Sequence, residues 1–390
     1  MRTIGVVTTS RSDYGFYLPV LRRIQAAPGL AYRLLATGMH LSPRFGMTVK
    51  GIEADGFEVA ERVRVLSNSD EPAAIAASMA RGTAGFANVF ARFRPDILLV
   101  LGDRFEMHAA ALAALPFRIP VAHIHGGELT EGALDDALRH SMTKLSHLHF
   151  AATREYGRRL VQMGEEPWRV TVSGAPSLDN LASMKRLTAA ELKSRFGLRV
   201  TPETLLVTFH PATLEHEDAG RQVGELLAAL RASGRPVLFT MPNADTGGTV
   251  IRERIKRYVR KEPSAQGVEN LGTDGYFSVL AICAAMVGNS SSGLLEAPSF
   301  GLPVVNVGSR QSGRVRGKNV VDTDCGRDEI LEGIRRATDP AFRKSLRRMV
   351  NPYGDGKASR RIVAKLAEVP LTDRILRKRF HDLVLPKGGR

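Results

Sequence analysis

The chain has 390 residues, 43% of them hydrophobic, which is too many for one typical domain and enough to bury two ordinary cores. Lys and Arg total 55 against 40 Asp and Glu, a formal charge of +15, so an acidic ligand is expected. The charge is dispersed, with only "RILRKRF" (Arg374 to Phe380) resembling a basic patch. Nucleic-acid binding is therefore not expected, and no run of eighteen apolar residues implies a membrane span.

From the N-terminus, "RTIGVVTTS" reads as a strand and shows no signal-peptide pattern, which predicts a cytoplasmic protein. The two cysteines, Cys283 and Cys325, form no disulfide framework or metal-ligand spacing and agree with a reducing compartment. Short β-branched runs then alternate with longer amphipathic ones: "YGFYLPVLRRIQAA", "YRLLATG", "EPAAIAASMARGTAGFANVFARF", "DILLVLG", "FEMHAAALAALP", "IPVAHIHGG" and "DDALRHSMTKLSHLHF". This rhythm predicts βαβ units and a parallel sheet covered on both faces. It restarts beyond Ala175, with "ETLLVTFH", "RPVLFTM", "AMVGN" and "LPVVNVG" as strands and "AGRQVGELLAALRA" and "YFSVLAICA" as helices. The expected architecture is α/β, with two doubly wound Rossmann-like domains facing a central cleft. The expected limits are residues 1–175, 176–355 and a helix with a basic tail at 356–390 that packs back on the first domain.

Polar motifs fall at the predicted strand ends, where open α/β sheets bind ligands. "TTSRSDYG" places Ser10, Arg11, Ser12 and Asp13 at a strand-to-helix turn suited to a phosphate, although Ser12 or Asp13 is equally suited to capping. The absence of GxGxxG and GxxxxGK[ST] argues against a dinucleotide site and a P-loop. "LVLGDRFE" puts Asp103, Arg104 and Glu106 after an apolar strand, where charges face the cleft or need partners. "AHIHGGELTEGALDDALRH" gathers His123, His125, Glu128, Glu131, Asp135, Asp136 and His140. No strongly specific ligand spacing is present, so acid/base chemistry is expected in preference to metal binding; Asp135 or Asp136 also suits a helix N-terminus.

In the second half, "VTFHPATLEH" sets His210 at a strand end with His216 beyond, and "TMPNADTGG" does the same for Asn243 and Asp245. "AMVGNSSSGLLE" supplies Asn289, Ser290, Ser291 and Ser292 before a helix carrying Glu296, and "VVNVGSRQSGRVRG" supplies Arg310, Gln311, Arg314 and Arg316. Hydroxyls and backbone N–H groups bind phosphate oxygens, arginines neutralise charge bidentately, and a glutamate can hold a ribose diol. A nucleoside diphosphate in the second domain is the reading. Tyr276 or Phe277 in "DGYFSVLA" could stack on a base or belong to the core, and His40, Arg44 and Phe45 in "GMHLSPRFG" could line a sugar pocket or a plain loop.

Taken in order, "SRSDYG", "GDRFE", "HIHGGE", "DDALRH", "FHPATL", "NADTG", "GNSSSG" and "RQSGRVRG" resemble the hydrolysing UDP-N-acetylglucosamine 2-epimerases of sialic-acid and nonulosonate pathways, across roughly Arg2 to Gly356. The non-hydrolysing relatives carry patterns such as "GTRPE", "GDTTT", "EAGLR" and "DSGG" instead. The resemblance implies a GT-B-type fold, a UDP-sugar substrate, no cofactor and no metal, and a homo-oligomer, dimer or tetramer. It assigns Arg11, His210, Ser290, Ser291 and Arg310 to the diphosphate, Glu296 to the ribose, and Asn243 and Asp245 to a nucleotide loop. Asp103, Glu128 and Asp136 match or neighbour its catalytic acids, with Asp135 the alternative to Asp136, and His125 stands where relatives carry glutamate. The implied reaction converts UDP-N-acetylglucosamine to N-acetylmannosamine and UDP. The alternatives are the same reaction on UDP-2,4-diacetamido-2,4,6-trideoxyglucose, a GT-B glycosyltransferase, or a nucleotide-sugar sensor without turnover.

Overall fold

Five consecutive apolar residues, Ile97–Leu101, leave no polar face, and the strand they form is buried at every position. In the computed structural model, which describes residues 1–67, 69, 71–130, 134–210, 218–241 and 248–383, this strand lies inside a seven-stranded sheet. Its strands are β1 (Arg2–Thr8), β2 (Leu30–Thr37), β3 (Val59–Val63), β4 (Ile97–Leu101), β5 (Val121–Ile124), β6 (Leu148–Ala151) and β7 (Val170–Val172), in the order β3-β2-β1-β4-β5-β6-β7. Every pairing is parallel, as continuous Val/Ile/Leu runs demand. The order reverses between β1 and β4, so the turns after Thr8 and Leu101 open at the switch point where such sheets bind ligands.

The chain divides into two units, the first containing residues up to Glu128, Leu134–Asp179 and Gly354–Arg390. The helix Ala358–Glu368 thus belongs to the first unit, and its Ile362, Val363 and Leu366 enter the same core as β1 and β4. Asp179 caps it from a distant stretch of chain, accepting from Ala358 N at 2.8 Å and Ser359 N at 2.7 Å. Basic residues of the tail are used internally: the Arg374 guanidinium lies 5.0 Å from the Trp168 ring centre, and Lys378 donates to three main-chain carbonyls of this unit.

The second unit carries Asn180–Tyr353, and Leu129 groups with it although its sequence position lies in the first half. Its six parallel strands are β8 (Leu205–Thr208), β9 (Val237–Thr240), β10 (Ala265–Val268), β11 (Ala285–Gly288), β12 (Val304–Val307) and β13 (Val320–Thr323), ordered β10-β9-β8-β11-β12-β13. Strand alternation splits the apolar residues between two faces: Leu205, Val207, Val237 and Phe239 enter one core, and Leu206 and Leu238 the other.

Two features depart from the expected elements. The run "DDALRHSMTKLSHLHF" is not one helix: the helix Leu134–Leu145 stops, and Leu148–Ala151 continues as β6. The edge strands β10 and β13 have partly exposed residues and lack the apolar runs by which the inner strands are recognised.

At the end of β11, Gly288 has φ +131°, and a Cβ there would sit 2.0 Å from the Thr208 carbonyl oxygen of β8. Both the backbone angle and the contact require glycine. Gly288→Ala is expected to destabilise the protein by about 3 kcal/mol, read as a lowered denaturation midpoint. An unchanged midpoint would mean that β8 and β11 part at no cost.

Candidate functional site

The first unit concentrates charge where β4 and β5 end. Asp103, just past β4, pairs with Arg139, whose Nη1 also donates to the His125 carbonyl at 2.7 Å and lies 4.0 Å from Glu128 Oε2. Arg139 is only 3% exposed, so its charge is tolerable only with such partners. Burial disfavours its protonated form, but Asp103, Glu128 and Asp135 more than compensate and hold it charged. Arg139 appears in the sequence only as part of "DDALRH"; its signal is the four-residue spacing from Asp135, which puts both on one helix face.

His125 adopts φ +65°, a left-handed conformation costly for a residue with a Cβ. Its Nδ1 is bonded to Glu128 Oε1, and its ring meets Phe16 edge-on with centroids 5.2 Å apart. The opposite nitrogen, Nε2, is buried without a hydrogen-bond partner among the described residues. A strained, buried imidazole fixed through one nitrogen and open at the other suits proton transfer to a ligand.

The two adjacent aspartates divide. Asp136 faces His140, with Oδ2 3.5 Å from Nε2, whereas Asp135 feels Asp103, Arg104 and Arg139. Burial and the nearby Asp103 push the Asp135 carboxyl up to about 6, while Arg104 and Arg139 pull in the other direction. Arg104 lies 3.4 Å from the fully buried Glu106. Burial also raises Asp13, which accepts from Thr9 N at 3.3 Å beside the Ser10 cap of the helix Arg11–Ala26. Arg11 is exposed as the first residue of that helix. His40 is fully buried between the Thr8 and Thr48 hydroxyls, at 2.9 and 2.8 Å, and burial lowers it to about 4; it is a structural group within the unit, not an exposed loop side chain.

The second unit offers a different set. At the end of β8, His210 N donates to Asn289 Oδ1 (2.7 Å), and Asn289 Nδ2 donates back to the His210 carbonyl (2.8 Å), joining the turns after β8 and β11. Arg310 Nη1 (3.0 Å) and Gln311 Nε2 (2.8 Å) both donate to the Asn289 carbonyl, which brings the turn after β12 to the same place. Burial and the adjacent Arg310 lower His210 to about 3, and its Nδ1 is buried without a partner among the described residues.

Ser290 and Ser291 lead into a helix of four residues, Ser292–Leu295, shorter than expected. Glu296 is its C-cap and not a residue within it, because Pro298 turns the chain into a 3-10 segment, Ala297–Phe300. Tyr276 donates from its hydroxyl to Ser292 Oγ at 2.8 Å, and Phe277 is buried against Phe300, so Phe277 is core. Asn243, Asp245, Glu131 and His216 lie outside the described residues. No cluster of three or more metal-ligating side chains is present among the described residues, and no described helix is long and apolar enough to cross a membrane.

A family model described as UDP-N-acetylglucosamine 2-epimerase matches residues 22–367. The chain belongs to the UDP-N-acetylglucosamine 2-epimerase family. Among its relatives in this family is the UDP-N,N'-diacetylbacillosamine 2-epimerase (hydrolyzing) of Legionella pneumophila, 39% identical over 97% of this chain and 99% of that protein. The GDP/UDP-N,N'-diacetylbacillosamine 2-epimerase (hydrolyzing) of Campylobacter jejuni is 35% identical over 98% and 99%. The crystal structure of the Neisseria meningitidis UDP-GlcNAc 2-epimerase bound to UDP-GlcNAc matches with a TM-score of 0.79 over 95% of this chain and all of that one. At 20% identity that likeness is one of fold, and it agrees with the GT-B type expected of the family.

The charge cluster around Asp135 makes a prediction of its own. In a carbon-13 NMR titration, the Asp135 carboxyl should titrate near pH 6. Asp103→Asn should lower the midpoint by removing a repelling charge, and Arg139→Leu should raise it by removing an attracting one. Midpoints unmoved in both variants would show that the three groups do not interact.

Proposed function

We propose that this family member is a hydrolysing 2-epimerase of UDP-2-acetamido sugars, with UDP-N,N'-diacetylbacillosamine, the UDP-2,4-diacetamido-2,4,6-trideoxyglucose of the sequence reading, as its substrate. The observation that carries the reaction is the cluster of the buried His125, Glu128 and Arg139 with the half-buried Asp103 and Asp135, with an open imidazole nitrogen. The substrate rests on the names of two relatives that match nearly the full chain. UDP-N-acetylglucosamine, the first expectation from the family resemblance, is the second reading, favoured by the family description and by the ligand of the Neisseria structure.

The hydrogen on carbon 2 is weakly acidic, so its removal must be coupled to departure of the anomeric diphosphate. In the proposed first step a base of the His125, Glu128 and Asp135 group takes that proton, the C1–O bond breaks, and UDP leaves with the electron pair. Asp135 replaces Asp136 in this role because it shares its surroundings with Asp103 and Arg139. A carboxyl near 6 is well matched to proton transfer at neutral pH. Arg11, His210, Ser290, Ser291 and Arg310 stabilise the leaving diphosphate, Glu296 takes the ribose, and Asn243 and Asp245 complete the nucleotide site. The unsaturated 2-acetamido sugar then takes water: hydroxide adds at carbon 1, and Asp103 delivers a proton to carbon 2 from the opposite face. The sum is UDP-sugar plus water giving UDP and the free 2-epimer. The enzyme works in the cytoplasm as a homo-oligomer.

Proton NMR in deuterated water tests the reading with both sugar nucleotides. The expected products are UDP and a free manno-configured sugar carrying deuterium at carbon 2. A UDP-linked epimer would establish the non-hydrolysing reaction instead, and intact substrate in both tubes would favour a transferase or a sensor. Arg310→Ala should lower turnover on the order of a hundredfold, as loss of one preorganised donor does elsewhere; unchanged turnover would remove Arg310 from the leaving-group site.

A further inference from the structure

The tail of the first unit has no role in the proposed reaction, yet its Lys378 reaches the helix that carries Asp135. Helix Leu134–Leu145 holds Asp135 and Arg139 in its first half, and its final carbonyls, as in any helix, lack partners within it. Lys378 supplies them. Its Nζ donates to the carbonyls of Ser146 (2.6 Å), Lys144 (3.1 Å) and Thr143 (3.2 Å) and to Glu165 Oε2 (2.7 Å). Four acceptors around three N–H bonds saturate the ammonium, and its charge stands where the helix dipole favours a cation.

The carboxylate acceptor is itself buried. Glu165 has no exposed surface and also receives Lys144 Nζ at 2.7 Å and His149 Nε2 at 2.9 Å. The chain leading to Lys378 is equally fixed: the buried Arg169 donates to the carbonyls of Ile375 (2.8 Å), Arg374 (3.1 Å) and Arg377 (3.1 Å). Past Lys378, His381 N donates to the Gly164 carbonyl at 2.9 Å, and the Phe380 ring lies so close to Gly164 that a Cβ there has no room. These residues form a strap clamped on both sides of Lys378.

We propose that Lys378 is a positioning residue for the reaction, and that the strap Arg374–His381 sets the axial placement of the helix bearing Asp135 and Arg139. The proposal rests on the roles given to those two residues above. At about 1.5 Å rise per residue, the Lys378 anchor lies on the order of 15 Å from Asp135. It therefore acts through the helix and touches no reacting atom. Misplacing a reacting group by about 1 Å costs on the order of a hundredfold in rate, so a helix free to slide loses turnover before it loses fold. The strap belongs to the first unit and the diphosphate residues His210, Ser290, Ser291 and Arg310 to the second, while Arg11 sits on a different helix of the first, Arg11–Ala26, which predicts a loss in kcat with UDP affinity intact.

The test compares the full-length protein with Lys378→Met and Lys378→Arg, measuring kcat and KM, UDP affinity by calorimetry, and hydrogen exchange of the 138–145 amides. Lys378→Met should lower kcat about tenfold or more, leave the UDP Kd within about twofold, and speed exchange in the helix; Lys378→Arg should recover most of the turnover. Turnover within about twofold of wild type in Lys378→Met overturns the proposal, as does a parallel fall in UDP affinity and thermal midpoint, which would mark plain destabilisation. Should the wild type release UDP from neither sugar nucleotide, the functional reading fails by itself. Hydrogen exchange then decides the strap alone, and unchanged exchange in Lys378→Met overturns it.

Discussion

A guanidinium almost without solvent, that of Arg139, organises the first unit. Such a charge survives inside a protein only if its donors are spent on anions and carbonyls. Arg139 meets that demand with Asp103, the His125 carbonyl and Glu128, and in doing so ties together three elements: the turn after β4, the turn after β5 and the helix Leu134–Leu145. The same pairing holds His125 beside its own carbonyl contact in a left-handed conformation, with one ring nitrogen committed to Glu128. Proton chemistry at neutral pH needs groups whose affinities have been moved apart, and burial with the neighbouring Asp103 does this for Asp135, against the opposing pull of Arg104 and Arg139.

The second unit holds the residues proposed for the diphosphate. Such a site calls for donors already in place, since reorganising them during bond cleavage would raise the barrier. Asn289 is the hub: it exchanges two hydrogen bonds with the main chain of His210 and accepts from both Arg310 and Gln311 through its carbonyl. Three strand ends are thereby fixed by one amide side chain and one carbonyl. Gly288 lets β11 approach Thr208 closely enough for this exchange. His210, kept neutral by burial and by Arg310, adds a polar group without adding repulsion of its own charge.

Much of this was legible from residue order. Apolar runs such as Ile97–Leu101 announced the inner strands, and the polar residues directly after them, Asp103, His125, His210 and Asn289, could only lie at their carboxyl ends. The edges were less legible, because β10 and β13 expose part of their surface and so carry mixed residues that no periodicity rule separates from loops. Glu296 was recognisable as a polar residue of the serine-rich turn but not as a cap, since its place depends on where Pro298 breaks the helix.

The sequence by itself determined the α/β class, the family and the motifs at the strand ends, because those features depend on local pattern and on which residue types a buried parallel strand tolerates. Only the tertiary structure separated Asp135 from Asp136, made Arg139 the common partner of two carboxylates, and took Lys378 from a basic tail into the carbonyls of a helix more than 230 residues earlier. Neighbouring residues on a helix point in different directions, and a long side chain finds its acceptors wherever the fold returns the chain. Both are facts of three-dimensional contact that adjacency in sequence does not encode.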